Sequence, residues 1–259
     1  MTENTLDDRI ENSKPVDFGS VFTNGIELFK KVWLQGFVHL LLNLLLLLPL
    51  FIIMYIPMLL MAGIGGYQDY EYGSSDGPEG VMAFVVMCLL IILIILASIG
   101  AIMVQFGMTA HFYRVCKQVD LGLEETSTYF MFFKKKYLKK VIILSLAKFG
   151  ISIVAVMLCY LPLFYVMVPL HLLGVIFAFN PEMNPSDLVK ASFKFGNKVW
   201  GMTFLLILIA SSLAQLGVLA CFIGIFFTAS FIYMPIYFIY KESLGFDQED
   251  EREEMKLLS

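Results

Sequence analysis

Three histidines, four cysteines and a lysine set deep in apolar sequence are the residues of this chain whose types could do chemistry. His39, His111 and His171 lie far apart, and no pair has the HExxH or i, i+4 spacing that puts two imidazoles on one helix face around a zinc ion. Cys88, Cys116, Cys159 and Cys221 form no CxxC pair and read as small apolar packing residues, with a Cys159–Cys221 disulfide left open. No GxxxxGK[ST] or GxGxxG phosphate loop and no GxSxG nucleophile elbow occurs. The carboxylates fall in the termini, in the stretch 65–80, near Asp120 to Glu125, and at Glu182, Asp187 and Glu242. None lies within an apolar run, where a proton- or sodium-coupled transporter usually keeps one, although unwound carbonyls can also hold sodium. The sequence therefore predicts no metal, no cofactor and no catalytic centre.

What remains is a set of polar residues inside apolar runs: Asn43, Gln105, Lys148 and His171, together with Gln215 and the hydroxyl residues. The first four are the candidate binding residues. Lys148 says most, because an ionisable group in a span costs about 2.5–3.5 kcal/mol on insertion scales. Two readings follow. The ammonium snorkels about 12 Å back to the inner headgroups, or Lys148, Gln105 and Asn43 line a cytoplasm-facing vestibule that attracts an anionic headgroup or solute.

The elements that carry these residues follow from composition. Of 259 residues, 59% are hydrophobic and 15% charged, with a mean hydropathy of +0.79. Soluble domains average about 45–50% apolar and about 25% charged residues, so an ordinary soluble globule is excluded. A net charge of −4 with no basic domain excludes a nucleic-acid partner. The apolar runs are long and uninterrupted, as transmembrane helices require and β-barrels do not. The expectation is an all-α membrane protein with six spans, at about 32–64, 81–110, 141–160, 163–179, 199–217 and 222–240. The stretch 141–179 would form a helix of about 58 Å against a hydrocarbon core of about 30 Å, so it folds back at Tyr160-Leu161-Pro162. Residues 17–242 make one membrane domain, between a polar tail 1–16 and an acidic tail 243–259.

Basic residues set the orientation. Arg9, Lys14, Lys30 and Lys31 precede the first span, Arg114, Lys117, Lys134 to Lys136, Lys139 and Lys140 follow the second, and Lys190, Lys194 and Lys198 follow the fourth. Lys241, Arg252 and Lys256 close the chain, and the intervening outer turns carry none. Both termini are thus expected in the cytoplasm, in a bacterial inner membrane. The polar, acidic N-terminus predicts no cleavable signal sequence. The loop 65–80, with Tyr67, Tyr70, Tyr72 and four acids, reads as a solvated outer hairpin. Small residues at i, i+4 spacing, Ala97 with Ala101 and Ala220 with Gly224 and Thr228, predict close helix packing within the bundle.

Three segments ahead of spans one, three and five share a pattern. Phe18, Val21, Phe22, Ile26 and Phe29 recur at helical spacing; so do Leu188, Ala191, Ser192, Phe195 and Val199, behind an Asn184 cap and Pro185 at the first helical position; Tyr129, Phe130, Phe133 and Tyr137 sit against lysines 134–140. Each predicts an amphipathic helix lying in the cytoplasmic interface, apolar face to lipid and lysines to anionic headgroups. Lys30-Lys31-Val32-Trp33, Lys139-Lys140-Val141-Ile142 and Asn197-Lys198-Val199-Trp200 then lead into spans. They are either a repeated module or the ordinary basic entry to any inner-side span.

The stretch Leu161-Pro162-Leu163-Phe164-Tyr165, the segment from Asn184 through Ala191, Ser192, Gly196-Asn197 to Trp200, and the ending Ile239-Tyr240-Lys241 resemble a bacterial family. That family is the membrane domain of glycerophosphoryl diester phosphodiesterases and its stand-alone relatives. The opening Val16-Asp17-Phe18-Gly19 is similar too, while Phe193 stands where the family commonly has Trp. The resemblance implies a membrane protein without phosphodiesterase activity, since that chemistry resides in a separate soluble barrel domain. The expected role is a non-enzymatic accessory or lipid-interacting membrane protein whose partners are anionic lipids, with a protein partner or second copy left open. The alternative is a transporter or channel for a small or anionic solute.

Overall fold

The computed structural model describes residues 6–65, 78–123, 129–158, 160–219, 224 and 228–246. Within these the chain is entirely helical: α1 (Leu6–Glu11), α2 (Phe18–Gly65), α3 (Pro78–Leu121), a 3-10 turn (Met131–Phe133), α4 (Lys135–Met157), α5 (Leu161–Phe179), α6 (Pro185–Lys198), α7 (Trp200–Leu219), a second 3-10 turn (Ala229–Ile232) and α8 (Tyr233–Leu244). Residues 66–77 of the expected outer loop, Glu124 and Glu125, Cys159 and Cys221, whose pairing the sequence leaves open, Ala220, and the acidic tail from residue 247 lie outside the described residues.

Four helices are long and apolar enough to cross a membrane, or up to five if α6 and α7, which meet at 89°, are counted as one broken span. Six were expected. The sixth expected span falls partly outside the described residues, and its described part is the 3-10 turn and α8, whose 12 residues reach only about 18 Å. Residues Met234 to Tyr240 of α8 are all buried, so this helix is the centre of the bundle.

The three entry segments also differ from expectation. Residues 18–31 are not a separate helix, because α2 runs unbroken through Lys31-Val32. No proline falls between Phe18 and Leu48, and Pro49 and Pro57 are accommodated within the helix, as prolines are in apolar surroundings. Gly36 is the point of closest approach: a Cβ there would strike Ser230, so α2 lies directly against the second 3-10 turn. Residues 129–133 form a turn around the buried Phe132. Only α6 is a discrete helix, and its apolar side, Leu188, Ala191, Ser192, Phe195 and Gly196, is buried against the bundle and not turned to lipid. Pro185 occupies the first turn of α6, but the side chain of Asn184 makes no capping bond and instead approaches Asp187 at 3.4 Å. The expected polar tail is partly folded as well, since α1 buries Leu6, Arg9 and Ile10.

The apolar stretch after α3 divides at Leu158–Tyr160, where Tyr160 takes a left-handed φ of 63° and Pro162 enters the first turn of α5. α3 ends on Gly122 (φ 69°), with Leu123 N–H donating to Gln118 O and Gly122 N–H to Val119 O. This paired closure needs a residue free of a Cβ penalty. A proline also shapes the α5–α6–α7 junction. Pro169 has no N–H to give the Tyr165 carbonyl four residues earlier, and that carbonyl accepts from the indole N–H of Trp200 at 3.0 Å. Tyr165 in turn donates its hydroxyl to Asn197 Oδ1 at 2.6 Å, and Gly196 lies on the Pro169 ring, where a Cβ would come within 3.0 Å. Two of the segments that carried the family resemblance are therefore in contact.

Candidate functional site

Gln105 of α3, Lys148 of α4 and His171 of α5 line one crevice of about 120 Å3, together with Thr109, Tyr113 and Tyr233. The stripe Gln105, Thr109 and Tyr113 comes from one face of α3, at i, i+4 and i+8. Gln105 is exposed, Tyr113 is buried, and Thr109 lines the crevice with Tyr233, the residue that opens α8. His171 Nδ1 donates to the Met167 carbonyl at 2.8 Å, because a carbonyl can only accept, and the neutral ring then leaves Nε2 as an acceptor. Lys148 has no ion pair or hydrogen bond among the described residues, and no carboxylate lines the crevice. The volume suits about four waters at about 30 Å3 each, or a small solute rich in acceptors.

Asn43, the fourth candidate, is elsewhere. Its Nδ2 donates to His39 Nε2 and to the His39 carbonyl, both at 3.1 Å, on α2. His39 is buried, stacked on Phe112 at 4.7 Å and edge-on to Tyr233 at 5.7 Å, so Tyr233 stands between this pair and the crevice. His111 is also buried, against Tyr129 at 4.9 Å, and both its ring nitrogens lack a hydrogen-bond partner among the described residues. No group of three or more metal-ligating side chains forms among the described residues.

A second polar cluster closes one end of the bundle, and the sequence did not mark it. Asp120 at the end of α3 accepts from Tyr237 at 2.7 Å and pairs with Lys241 of α8. Asn180, just past α5, accepts from Arg9 at 3.2 Å and donates to Tyr240 Oη and Ile176 O at 2.9 Å. Glu242 accepts from Ser20 and Asn24 of α2, both at 3.0 Å. Arg114 donates to the Ala178 carbonyl, Lys140 to those of Pro181 and Glu182, and Lys198 to those of Ile10 and Glu11. Three basic residues expected to face headgroups are thus engaged by backbone carbonyls at or just past helix C-termini, where the backbone carries partial negative charge. On the rim, hydrogen bonds from Lys136 and then Tyr137 hold the Glu182 carboxyl below its ordinary value, and Lys194 does the same to Glu11.

What is left over defines a surface. Lys14, Lys30, Lys31, Lys134, Lys135 and Lys139 are exposed and make no ion pair among the described residues. The fold and these two polar regions define an all-helical membrane protein, self-paired at its basic end, with an exposed set of free lysines around it. Comparison with protein-family models, with curated proteins and with solved structures gives no match.

Proposed function

We propose that this chain is a non-enzymatic integral membrane protein of the bacterial cytoplasmic membrane that binds anionic lipid headgroups with its basic end. The observation that carries the reading is the set of six exposed lysines without an ion pair among the described residues, on the end where Arg114, Lys140, Lys198 and Lys241 are already engaged. Anionic headgroups attract each such lysine by about 1 kcal/mol. In this reading α2, α3, α4, α5, α7 and the segment ending in α8 make six crossings, both termini are cytoplasmic, and α6 lies along the inner interface. The resemblance to the membrane domain of glycerophosphoryl diester phosphodiesterases supports a role apart from hydrolysis. The test is lipid analysis of protein purified in mild detergent from vesicles of mixed phosphatidylglycerol and phosphatidylcholine. Enrichment of phosphatidylglycerol that falls when Lys30, Lys31, Lys134, Lys135 and Lys139 are changed to Gln is expected; equal retention of both lipids by the unaltered protein refutes the reading. A stoichiometric co-purifying protein would recast it as an accessory subunit.

The crevice favours a second reading, a site for a small acceptor-rich solute. Its ground is that Gln105, Lys148 and His171 converge from three helices while Lys148 has no partner of its own among the described residues. Lys148→Met is then expected to abolish stabilisation of the purified protein by small anions such as chloride or formate. Identical anion responses in the two proteins would refute it.

A further inference from the structure

A groove of about 460 Å3 opens at the basic end, where the segment between α1 and α2 crosses the elbow of α6 and α7. Sites for small ligands commonly hold about 300–1,000 Å3. Two chemistries line it: the ammonium-bearing Lys14 and Lys198, and the apolar Val16, Val199, Met202 and Ile239. The crossing segment is held from both sides. Lys14 N–H donates to the Ser243 carbonyl at 3.1 Å, and Lys198 Nζ donates to the carbonyls of Ile10 and Glu11 at 2.8 and 2.7 Å.

These bonds leave donors over. An ammonium carries three N–H groups, so Lys198 keeps one and the exposed Lys14 side chain keeps all three. Of the nearby carboxylates, Glu11 has Lys194 as its main partner at 2.8 Å with a weaker pull from Lys198, Glu242 accepts from Ser20 and Asn24, and Asp17 accepts from the Ser20 N–H. Two available cations therefore adjoin an apolar wall at the point where α7 begins with Trp200, a residue typical of the membrane interface. Lysine binds phosphate as a point charge, and the apolar wall needs a ligand that continues into hydrocarbon.

We infer that this groove is a specific site for one anionic phospholipid, its phosphodiester on Lys14 and Lys198 and the start of its acyl chains on Val199, Met202 and Ile239. The inference rests on the reading that this end holds anionic lipid, and adds to it a built site with its own stoichiometry.

The test counts lipids retained by the full chain in native mass spectrometry after detergent exchange, with phosphatidylglycerol as probe and phosphatidylcholine as comparator. One phosphatidylglycerol per protein is expected. Lys14→Glu, at an exposed side chain with no ion pair or hydrogen bond among the described residues, should lower retention at least about tenfold, the effect of reversing one charge beside a phosphate. Met202→Trp, which fills the apolar part and leaves the charges, should also lower it, whereas Lys190→Glu on the outer side of α6 should not. Unchanged retention in both Lys14→Glu and Met202→Trp overturns the site. So does equal loss in Lys14→Glu and Lys190→Glu, which would mean diffuse charge alone, with the broader lipid reading intact. Displacement by millimolar inorganic phosphate that persists in Met202→Trp would make it a free-phosphate site and overturn the lipid assignment. No preference for phosphatidylglycerol in the unaltered protein would bring down both readings.

Discussion

The bond from Trp200 to the Tyr165 carbonyl exists because Pro169 cannot make it, and this can be measured as a coupling. In an unbroken helix the residue at 169 would donate its N–H to the Tyr165 carbonyl; proline withholds it, and the indole of Trp200 supplies the donor at 3.0 Å. Trp200→Phe removes that donor while keeping a ring stacked on Phe204, now at 5.0 Å and 8°. Side-chain hydrogen bonds between helices in membrane proteins average about 0.6 kcal/mol and reach about 1.7. A cost of about 1 kcal/mol is expected for Trp200→Phe. Pro169→Ala restores a backbone N–H to Tyr165 O, at the expense of ring contact with Gly196. In that background Trp200→Phe should cost close to nothing, so the double-mutant cycle yields a coupling of about 1 kcal/mol, or about fivefold in the unfolding constant. Unfolding in mixed detergent micelles followed by circular dichroism gives the four stabilities. If Trp200→Phe costs the same with Pro169 in place as in the Pro169→Ala background, the account of this junction is wrong.

Three further outcomes follow from the packing and the rim. Gly36→Ala forces a Cβ into Ser230 and should destabilise by about 1–3 kcal/mol, whereas Gly201→Ala, with nothing within 4 Å, should stabilise α7 by up to about 1 kcal/mol; melting of the purified proteins separates them. Asp120→Asn keeps an acceptor for Tyr237 but leaves Lys241 without its counter-charge, and should cost about 1–2 kcal/mol in the same measurement, discounted for the partial exposure of the pair. The bond from Lys194 lowers the Glu11 carboxyl below its ordinary 4.5 in the folded state, so the stability it contributes is present above that pH and is lost as pH falls through the folded value. The protection factors of residues 6–11, referred to the intrinsic exchange rate at each pH, should therefore fall on going from pH 6 to pH 3 in the native protein; in Glu11→Gln they should be low already at pH 6, and identical profiles would contradict the pairing.

Breakers and misplaced polarity were legible in the sequence, while helix rotation and acceptor identity were not. Proline announced the turn at Leu158–Tyr160 and the start of α6, because a missing N–H acts locally whatever surrounds it. Gln105, Lys148 and His171 stood out as polar residues in apolar runs and do line one crevice. Asn43 stood out equally, but no periodicity on α2 tells how that helix is turned against α3 and α8. Thr109, Tyr113 and Tyr233 gave no signal, since threonine and tyrosine are ordinary residues of apolar helices. The apolar stripe of α6 was visible, yet lipid and protein are both apolar, so only packing shows that it covers α5 at Gly196 and Pro169. The basic residues stood out by type, but whether each takes a carboxylate, as Lys136, Lys194 and Lys241 do, or a backbone carbonyl, as Arg114, Lys140 and Lys198 do, carries no mark in sequence.

That division of partners also decides where on the molecule selective binding belongs. α2 and α3, at 48 and 44 residues, reach about 72 and 66 Å, while α4 and α5, at 23 and 19, reach about 35 and 29 Å. The long pair therefore outruns the rest of the bundle, touching at Leu50 and Gly100. Burial follows the same gradient: 61% of the apolar window of α5 is buried but only 11% of that of α2 and 6% of that of α3. Leu45, Phe51, Phe84, Leu89 and Leu96 on the projecting part are exposed and wholly apolar, and acyl chains surround such side chains without discriminating among them. Selectivity needs fixed polar groups that a competing ligand would leave unpaired. Among the described residues those groups are concentrated in the crevice around Lys148 and at the basic end, where α1 and the segment after it strap the C-terminal helix to α6. A ligand that bridges Lys14 and Lys198 would tie that strap to the elbow of α6 and α7, so lipid binding there should slow hydrogen exchange in α1 and leave the α2–α3 hairpin unchanged. Protection spread evenly over both regions would show that the lipid acts as solvent and not as a bound partner.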